Sequence, residues 1–407
     1  LYVQFLNDTG LLGKTIIAVD GSKFKAVNSK KNNYNQKKID KHRQFIEDKT
    51  AKYLQELDEL DSRENTGDDL QIKKEKISEG LAKLKERTIK YDTLQQQLDN
   101  TADKQISTTD PDSRSIIIVK SIVEVAYNTQ NAVDDKHNLI VHTQATNTND
   151  GKALHKAATG AKQNLQLKKE DSIMLLADKG YHTGAELQQC QDNNMITHVA
   201  YKEQPSVKHI ANEFLSESFS YDKQTDSYTC PAGAVQTSLG TWHNKIGEAN
   251  ETSYRFKTYR TDACKTCALK QQCTKLPKRI IHRSEYQDAV DINNNNIKQN
   301  PQYYKRRQAI VEHPFGTIKR HWGYTHTLLK GLQKVNGEMN LIMFCYNFMR
   351  TKNILGFEKM LLQIKNWQPD YTKIVCALKN AMLKLIYNQN TAPVFLKRQR
   401  LLFLKTG

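Results

Sequence analysis

Two apolar runs that break off at a carboxylate and a turn residue constrain this chain more than anything else in it. Thr15-Ile-Ile-Ala-Val-Asp20-Gly-Ser and Ser172-Ile-Met-Leu-Leu-Ala-Asp178-Lys-Gly-Tyr each read as a buried strand closed by Asp-Gly or Asp-x-Gly. A strand delivers its last side chain to the rim of a sheet, where metal and substrate have access. Asp20 and Asp178 are therefore the first candidates for chemistry. A single acid is far more often a solvated surface group; two placed in this way are a pattern.

The segments around them predict an α/β fold. Ser115–Val119, Val123–Val133 and Asn138–Thr143 are short β-branched or apolar runs, with a hairpin turn at Asp134-Asp-Lys-His-Asn138. Helix-compatible stretches at Gly151–Leu167 and Gly184–Asn193 alternate with the Asp178 run and with Ile196–Tyr201. The order is strand, hairpin pair, helix, strand, helix, strand, which asks for a sheet flanked by helices. Two segments interrupt it. Residues 35 to 101 carry charge throughout, with Phe45, Tyr53, Leu57, Leu60, Ile77, Leu81 and Leu84 at helical spacing around the turn cluster Asn65–Asp69. That predicts an antiparallel helical hairpin inserted after the first strand. From 202 to 300 the pattern breaks into polar loops and short strands, punctuated by Pro205, Pro231 and Pro277 and by the Asn293–Asn296 tract.

The expected division is therefore 1–34 for the start of a catalytic core, 35–108 for the hairpin and 109–201 for the core continued. Residues 202–300 form a Cys-containing insertion, 301–355 a core helix, and 356–407 a helical extension with an amphipathic stretch at Lys373–Tyr387. No internal repeat is visible.

Charge says what such a core would meet. There are 61 Lys and Arg against 44 Asp and Glu in 407 residues, a formal charge of +17. Polyanions are the default partner, because basic side chains gain affinity by displacing counterions from phosphates; the bland alternative is a generic basic surface. The apolar run at Leu341–Met349 is interrupted by Asn and Tyr and falls short of the ~20 residues that span a bilayer. With no signal-peptide pattern either, a membrane protein is excluded. The chain opens on Leu1 rather than Met, which suggests a fragment whose own N-terminus lies upstream.

A third acid completes the candidate set. In Tyr303-Tyr-Lys-Arg-Arg-Gln-Ala-Ile-Val-Glu312-His-Pro-Phe-Gly-Thr-Ile-Lys319, helical spacing puts Glu312, Phe315, Gly316 and Lys319 on one face, with Pro314 marking an irregular helix. Three carboxylates on one rim can hold two Mg²⁺ ions about 4 Å apart, suited to in-line attack on a phosphodiester. Other acids read more plainly: Asp110 and Asp112 flank a proline as turn residues, and Asp134 and Asp135 belong to the hairpin. Tyr181 and His182 follow Asp178 closely enough to contact substrate or simply to pack.

At these residues the sequence resembles the DDE transposases of bacterial insertion sequences, in the branch with a Tyr-Arg-Glu-Lys signature. The matching segments are Val19–Lys23, Ala126-Tyr-Asn-Thr-Gln-Asn-Ala-Val-Asp134, Leu176–His182 and Val311–Lys319, over roughly residues 15 to 355. The resemblance implies an RNase H-like mixed sheet, the acidic triad Asp20, Asp178 and Glu312 binding Mg²⁺ (or Mn²⁺), and double-stranded DNA as partner, both element ends and target. It implies Tyr304, Arg307 and Lys319 at DNA phosphates, with Arg320 beside them, a homodimer that pairs two ends, and a nucleoid-associated enzyme of the bacterial cytoplasm. Arg307 stands five positions before Glu312 where the usual signature has four. The alternatives are a nuclease relative that cuts without joining, and a non-catalytic DNA-binding protein.

Cys264-x2-Cys267-x5-Cys273, with Cys230 upstream in a Thr-Cys-Pro turn, offers four soft ligands for a structural Zn²⁺. Reduced cysteines packed in a small subdomain are the competing reading, and His243 and His282 are substitute ligands. Cys190, Cys345 and Cys376 sit in apolar helical contexts as core thiols. Basic residues Lys305, Arg306, Lys330, Lys334 and Lys397-Arg-Gln-Arg400, interleaved with Trp322, Tyr324 and His326, suit a surface that lines DNA, or merely a solvated face.

Overall fold

The computed structural model describes residues 1–62, 68–101, 104–119, 122–201, 210–247 and 252–368. Lys373–Tyr387, Cys376 and Lys397–Arg400 lie outside the described residues. The chain divides into two compact units, Leu11–Arg350 and a smaller one made of Leu1–Gly10 with the chain from Thr351. In the smaller unit, helix α1 (Tyr2–Asp8) sets Phe5 edge-on to Trp367 at 5.3 Å, and Trp367 Nε1 donates to Asp8 at 2.9 Å.

The larger unit begins with β1 (Ile16–Lys25). After it, β2 (Asn33–Asn35) leads into α2 (Gln36–Asp61) and α3 (Asp68–Asp99), and β3 (Gln105–Ser107) returns to pair with β2. The expected hairpin is antiparallel: Gln36 bonds Gln95, Arg43 pairs with Asp92, and Lys74 with Asp61. Asn35 caps α2 by accepting from Lys38 N at 3.0 Å. Ile39, Ile46, Leu84, Tyr91, Leu94 and Leu98 form a core of the hairpin's own. Phe45 stays outside it, half exposed under the Arg87 guanidinium.

The central sheet then assembles. β4 (Arg114–Val119), β5 (Ile122–Asp134) and β6 (Leu139–Thr146) are antiparallel. Helix α4 (Leu154–Asn164), β7 (Ile173–Ala177), α5 (Gly184–Asp192) and β8 (Met195–Val199) follow. The strand order is β4-β5-β1-β7-β8, with β6 alongside the second half of β5; β1, β7 and β8 run parallel. The Asp134–Asn138 turn is held by the buried Asp134 carboxylate, which accepts from the backbone N–H groups of Gly13, Lys14 and Lys136.

The insertion is a second, antiparallel sheet of β9 (Ser220–Asp222), β10 (Ser227–Thr229), β11 (Val235–Ser238), β12 (His243–Ile246), β13 (Thr252–Arg260) and β14 (Ile281–Ser284). A short helix, α6 (Lys270–Cys273), lies between the last two strands. Its core is small: Phe219, Tyr228, Tyr259 and Ile281, with Tyr221, Cys230 and Cys273 against it.

The Asn293–Asn296 tract is not a loop. It lies within α7 (Gln287–Gln299), and Asn293 is fully buried because its amide bonds both the N–H and the carbonyl of Val199 at 2.8 Å. Helix α8 (Gln302–Gly316) runs through Pro314 and loosens only afterwards, into a π-helical turn at Thr317–His321. Asp110 and Asp112 receive the backbone N–H groups of Gly331 (3.0 Å) and Leu332 (2.7 Å), at the start of α9 (Leu332–Leu355). α8 and α9 cover one face of the sheet, where Ile310, Val311, Phe315, Val335, Met339, Met343 and Tyr346 meet Ala18, Phe24, Tyr127 and Val133. α4 lies against β1, β5 and β6. The smaller unit also holds α10 (Phe357–Asn366). No helix among the described residues is long and apolar enough to cross a membrane.

Cys190 is buried as expected, but Cys345 is exposed. α9 carries apolar residues on every side, and Leu341, Phe344 and Met349 share that exposure.

Candidate active site

The parallel ladder of β1 and β7 stops at the pair Val19 and Ala177, so the next residues on the two strands are Asp20 and Asp178. The two acids singled out first are neighbours across the sheet. Asp178 ends its strand and accepts from Lys179 N at 2.6 Å. Asp20 does not end its strand: β5 stays paired to β1 as far as Lys25 and Ala126, so the strand outlasts its partner β7. Alternation puts Asp20 on the face of Ala18 and Phe24, the one that α8 covers.

That environment raises Asp20. Burial pushes its carboxyl up to about 6; Arg307 and the N–H of Gly21 oppose this, while Asp150 and Asp178 add to it. Arg307 is buried, its Cζ lies 5.5 Å from the Tyr304 ring centroid, and its Nε has no hydrogen-bond partner among the described residues. Lys319, in the π-helical turn, donates from Nζ to the Lys23 carbonyl at 2.6 Å and sits 4.5 Å over the Phe24 ring. Burial lowers its pKa to about 8; Lys23 pushes the same way and Asp20 against it.

The remaining expected residues stand further out. Glu312 is exposed on α8 and accepts from Gln308 at 2.7 Å. Tyr304 and Arg320 are exposed. Among the described residues no three His, Cys, Asp or Glu side chains are already gathered as a metal-holding group. Tyr181 is buried with its hydroxyl on Gln130 Oε1, which makes it a packing residue, and His182 meets Asn294 at 3.1 Å. Arg306 pairs with Asp135, and Trp322 and Tyr324 pack against the core.

A polar group beside the acids was not anticipated. Asp150 accepts from Lys23 Nζ, Asn128 Nδ2 and Gln130 Nε2, each at 2.8 Å. Burial would raise its pKa; Lys23 and the two amides outweigh that and hold it below the usual carboxylate range. Asn128 and Gln130 left a trace in the sequence, since amides suit the middle of a buried strand poorly. Asp150, in Thr148-Asn-Asp-Gly, looks like any turn.

The four cysteines Cys230, Cys264, Cys267 and Cys273 line one cavity in the inserted sheet. His243 and His282 do not; both pack against Phe256 on the sheet.

Comparison with known families gives one match: residues 229–351 are similar to a domain described as the transposase DDE domain. No curated protein and no solved structure matched. The matched stretch takes in the cysteine cavity, Arg307, Glu312 and Lys319, and stops short of Asp20 and Asp178 on the N-terminal side.

Proposed function

We propose that this chain is a metal-dependent DNA transposase, cutting phosphodiesters at the ends of a mobile element and joining the freed 3′-hydroxyls to target DNA. One observation carries the reading: Asp20 and Asp178 follow the last pair of the ladder between the central parallel strands β1 and β7, with Arg307 acting on Asp20, in a chain whose residues 229–351 are similar to a transposase DDE domain. The RNase H-like fold and the Tyr-Arg-Glu-Lys branch belong to the same proposal.

A divalent cation fits this donor set. A carboxylate raised by burial, with Asp150 and Asp178 adding to the rise, gains from a cation, and Mg²⁺ needs only one or two protein carboxylates besides water. Asp20 and Asp178 would hold Mg²⁺ or Mn²⁺, and Glu312, exposed on α8 beside Gln308, would complete the set. Bound there, such an ion supplies activation of a water or 3′-hydroxyl and stabilisation of the leaving oxygen. The chain's own cations bind the DNA. Arg307 offers its buried, unpartnered Nε to a phosphate, and Lys319 holds an ammonium next to Asp20. Tyr304 and Arg320 extend the contact along the backbone. A homodimer on the bacterial nucleoid follows from the need to pair two ends. The Zn²⁺ expected on the cysteines has no part here, since zinc on thiolates builds structure.

The test is a strand-transfer assay with the DNA flanking the coding sequence, in Mg²⁺ or Mn²⁺. Joined products, lost in Asp178→Ala, support the proposal. Cleavage without joining leaves a nuclease, and no cleavage with either metal overturns the reading.

A further inference from the structure

We propose that Cys230, Cys264, Cys267 and Cys273 form a tetrahedral zinc site that fastens the turn between β10 and β11 to the segment joining β13 to β14. The inference stands on the insertion alone and does not depend on the transposase reading.

The four residues come from two separate places. Cys230 follows β10 in the turn Cys230-Pro-Ala-Gly-Ala234; the other three lie on the segment that joins β13 to β14. All four line a single cavity of about 30 Å³, together with Arg279 and Lys270. That is room enough for an ion or a water molecule. The described cysteines are free thiols, so no disulfide accounts for their meeting. They are not already drawn to one point, as no three-ligand group is found among the described residues. A zinc ion would draw these four sulfurs, which share one cavity wall, to about 2.3 Å from a common centre.

Two features of the surroundings suit thiolates on a metal. Ala234 N points at Cys230 Sγ at 3.3 Å, and the turn closes with Gly233 N on the Cys230 carbonyl at 2.8 Å. Gly233 has φ +82, so the turn needs glycine. An N–H aimed at sulfur is the outer-shell contact that favours thiolate over thiol. Four thiolates around Zn²⁺ carry a net charge of −2, which calls for cations nearby. Arg279 supplies one: it lines the cavity, and its Nε is buried with no hydrogen-bond partner. A neutral thiol cluster would strand that donor; an anionic one satisfies it. Zinc binding sends the thiol protons to solvent and closes a subdomain whose apolar core, among the described residues, is the small buried cluster of Phe219, Tyr228, Tyr259 and Ile281.

The full chain, purified in reducing buffer without chelator, is expected to carry one zinc ion per chain by elemental mass spectrometry. Co²⁺ added after zinc removal is expected to saturate at one equivalent, with the sulfur-to-cobalt absorption and strong visible bands of a tetrahedral thiolate site. Cys267→Ser should lose the zinc, while Cys345→Ser keeps it. Because Cys267→Ser alters the folding of the subdomain as well as the site, the cobalt titration of the unaltered chain decides. No zinc and no cobalt–thiolate band, an iron chromophore, or a disulfide found by alkylation mass mapping under reducing conditions would each overturn the site.

Discussion

Gly21 leaves room for Asp150. A Cβ built on Gly21 would fall 2.7 Å from Gln130 Nε2 and 2.9 Å from Asn128 Oδ1, and closer still to Asp150 Oδ1. Both amides donate to Asp150, so none of the three side chains can withdraw without breaking a hydrogen bond. Gly21→Ala is therefore expected to destabilise the chain by about 2 kcal/mol, in the range of overpacked cores. It should also disturb the polar group next to Asp20. Urea unfolding checks the first effect. An unchanged midpoint would mean that Asp150 is not held in this position.

Asp20 should make stability fall as pH rises. A carboxyl at about 6 in the folded chain and near 3.8 when unfolded binds more protons folded than unfolded between those values. Its stabilising share is complete below about pH 4 and lost as pH passes 6. Asp20→Asn removes that dependence. Measured in EDTA, the native chain should lose up to about 3 kcal/mol relative to the variant between pH 4 and 7. Equal pH profiles for the two proteins would refute the buried, uncompensated carboxylate.

Sequence reading reached the strands and the two aspartates for a physical reason. β-branched runs cut off by turn residues have few other structures open to them. It reached less where the decisive partner lies far along the chain. Asp110 and Asp112 read correctly as turn residues, but nothing local says that the N-terminus of α9 lands on them, more than two hundred positions away. Asn293 looked like low-complexity loop because its bonds to Val199 are tertiary. Cys345 looked buried because an all-round apolar helix conceals which side faces out. The polar group around Asp150 was legible only as a faint misfit, two amides in a buried strand.

Lys162 is a second case of a role set by distant backbone. It is buried in α4, and its ammonium donates to the carbonyls of Lys169 (3.0 Å), Asp171 (2.6 Å) and Asn193 (3.0 Å). It ties the loop before β7 to the turn after α5. Lys162→Met keeps the aliphatic stem and strands three carbonyls, so a loss of about 3 kcal/mol is expected. The matching readout is hydrogen exchange at 169–173 and 193–195, which should speed up locally before global unfolding. Uniform protection would show that the ammonium is dispensable.

Lys319 and Arg320 are adjacent in sequence and should separate binding from chemistry. Arg320 is exposed, so its contact with DNA would be a simple phosphate contact. Arg320→Ala should weaken DNA binding whatever the sequence, and lower the slope of log K against log salt by about 0.9, the value for one released counterion. Lys319 is half-buried, anchored to the Lys23 carbonyl over Phe24 and coupled to Asp20. With a pKa of about 8 it is mostly charged at neutral pH and loses that charge in mild alkali. Lys319→Met should therefore cut the proposed cleavage at least tenfold while changing the salt slope little, and the residual activity should lack the alkaline fall expected of the unaltered chain near pH 8. Binding isotherms at four salt concentrations and a pH–rate profile distinguish the two residues. Equal effects of both substitutions on slope and rate would place Lys319 on the outer DNA surface with Arg320, and not beside the reacting phosphate.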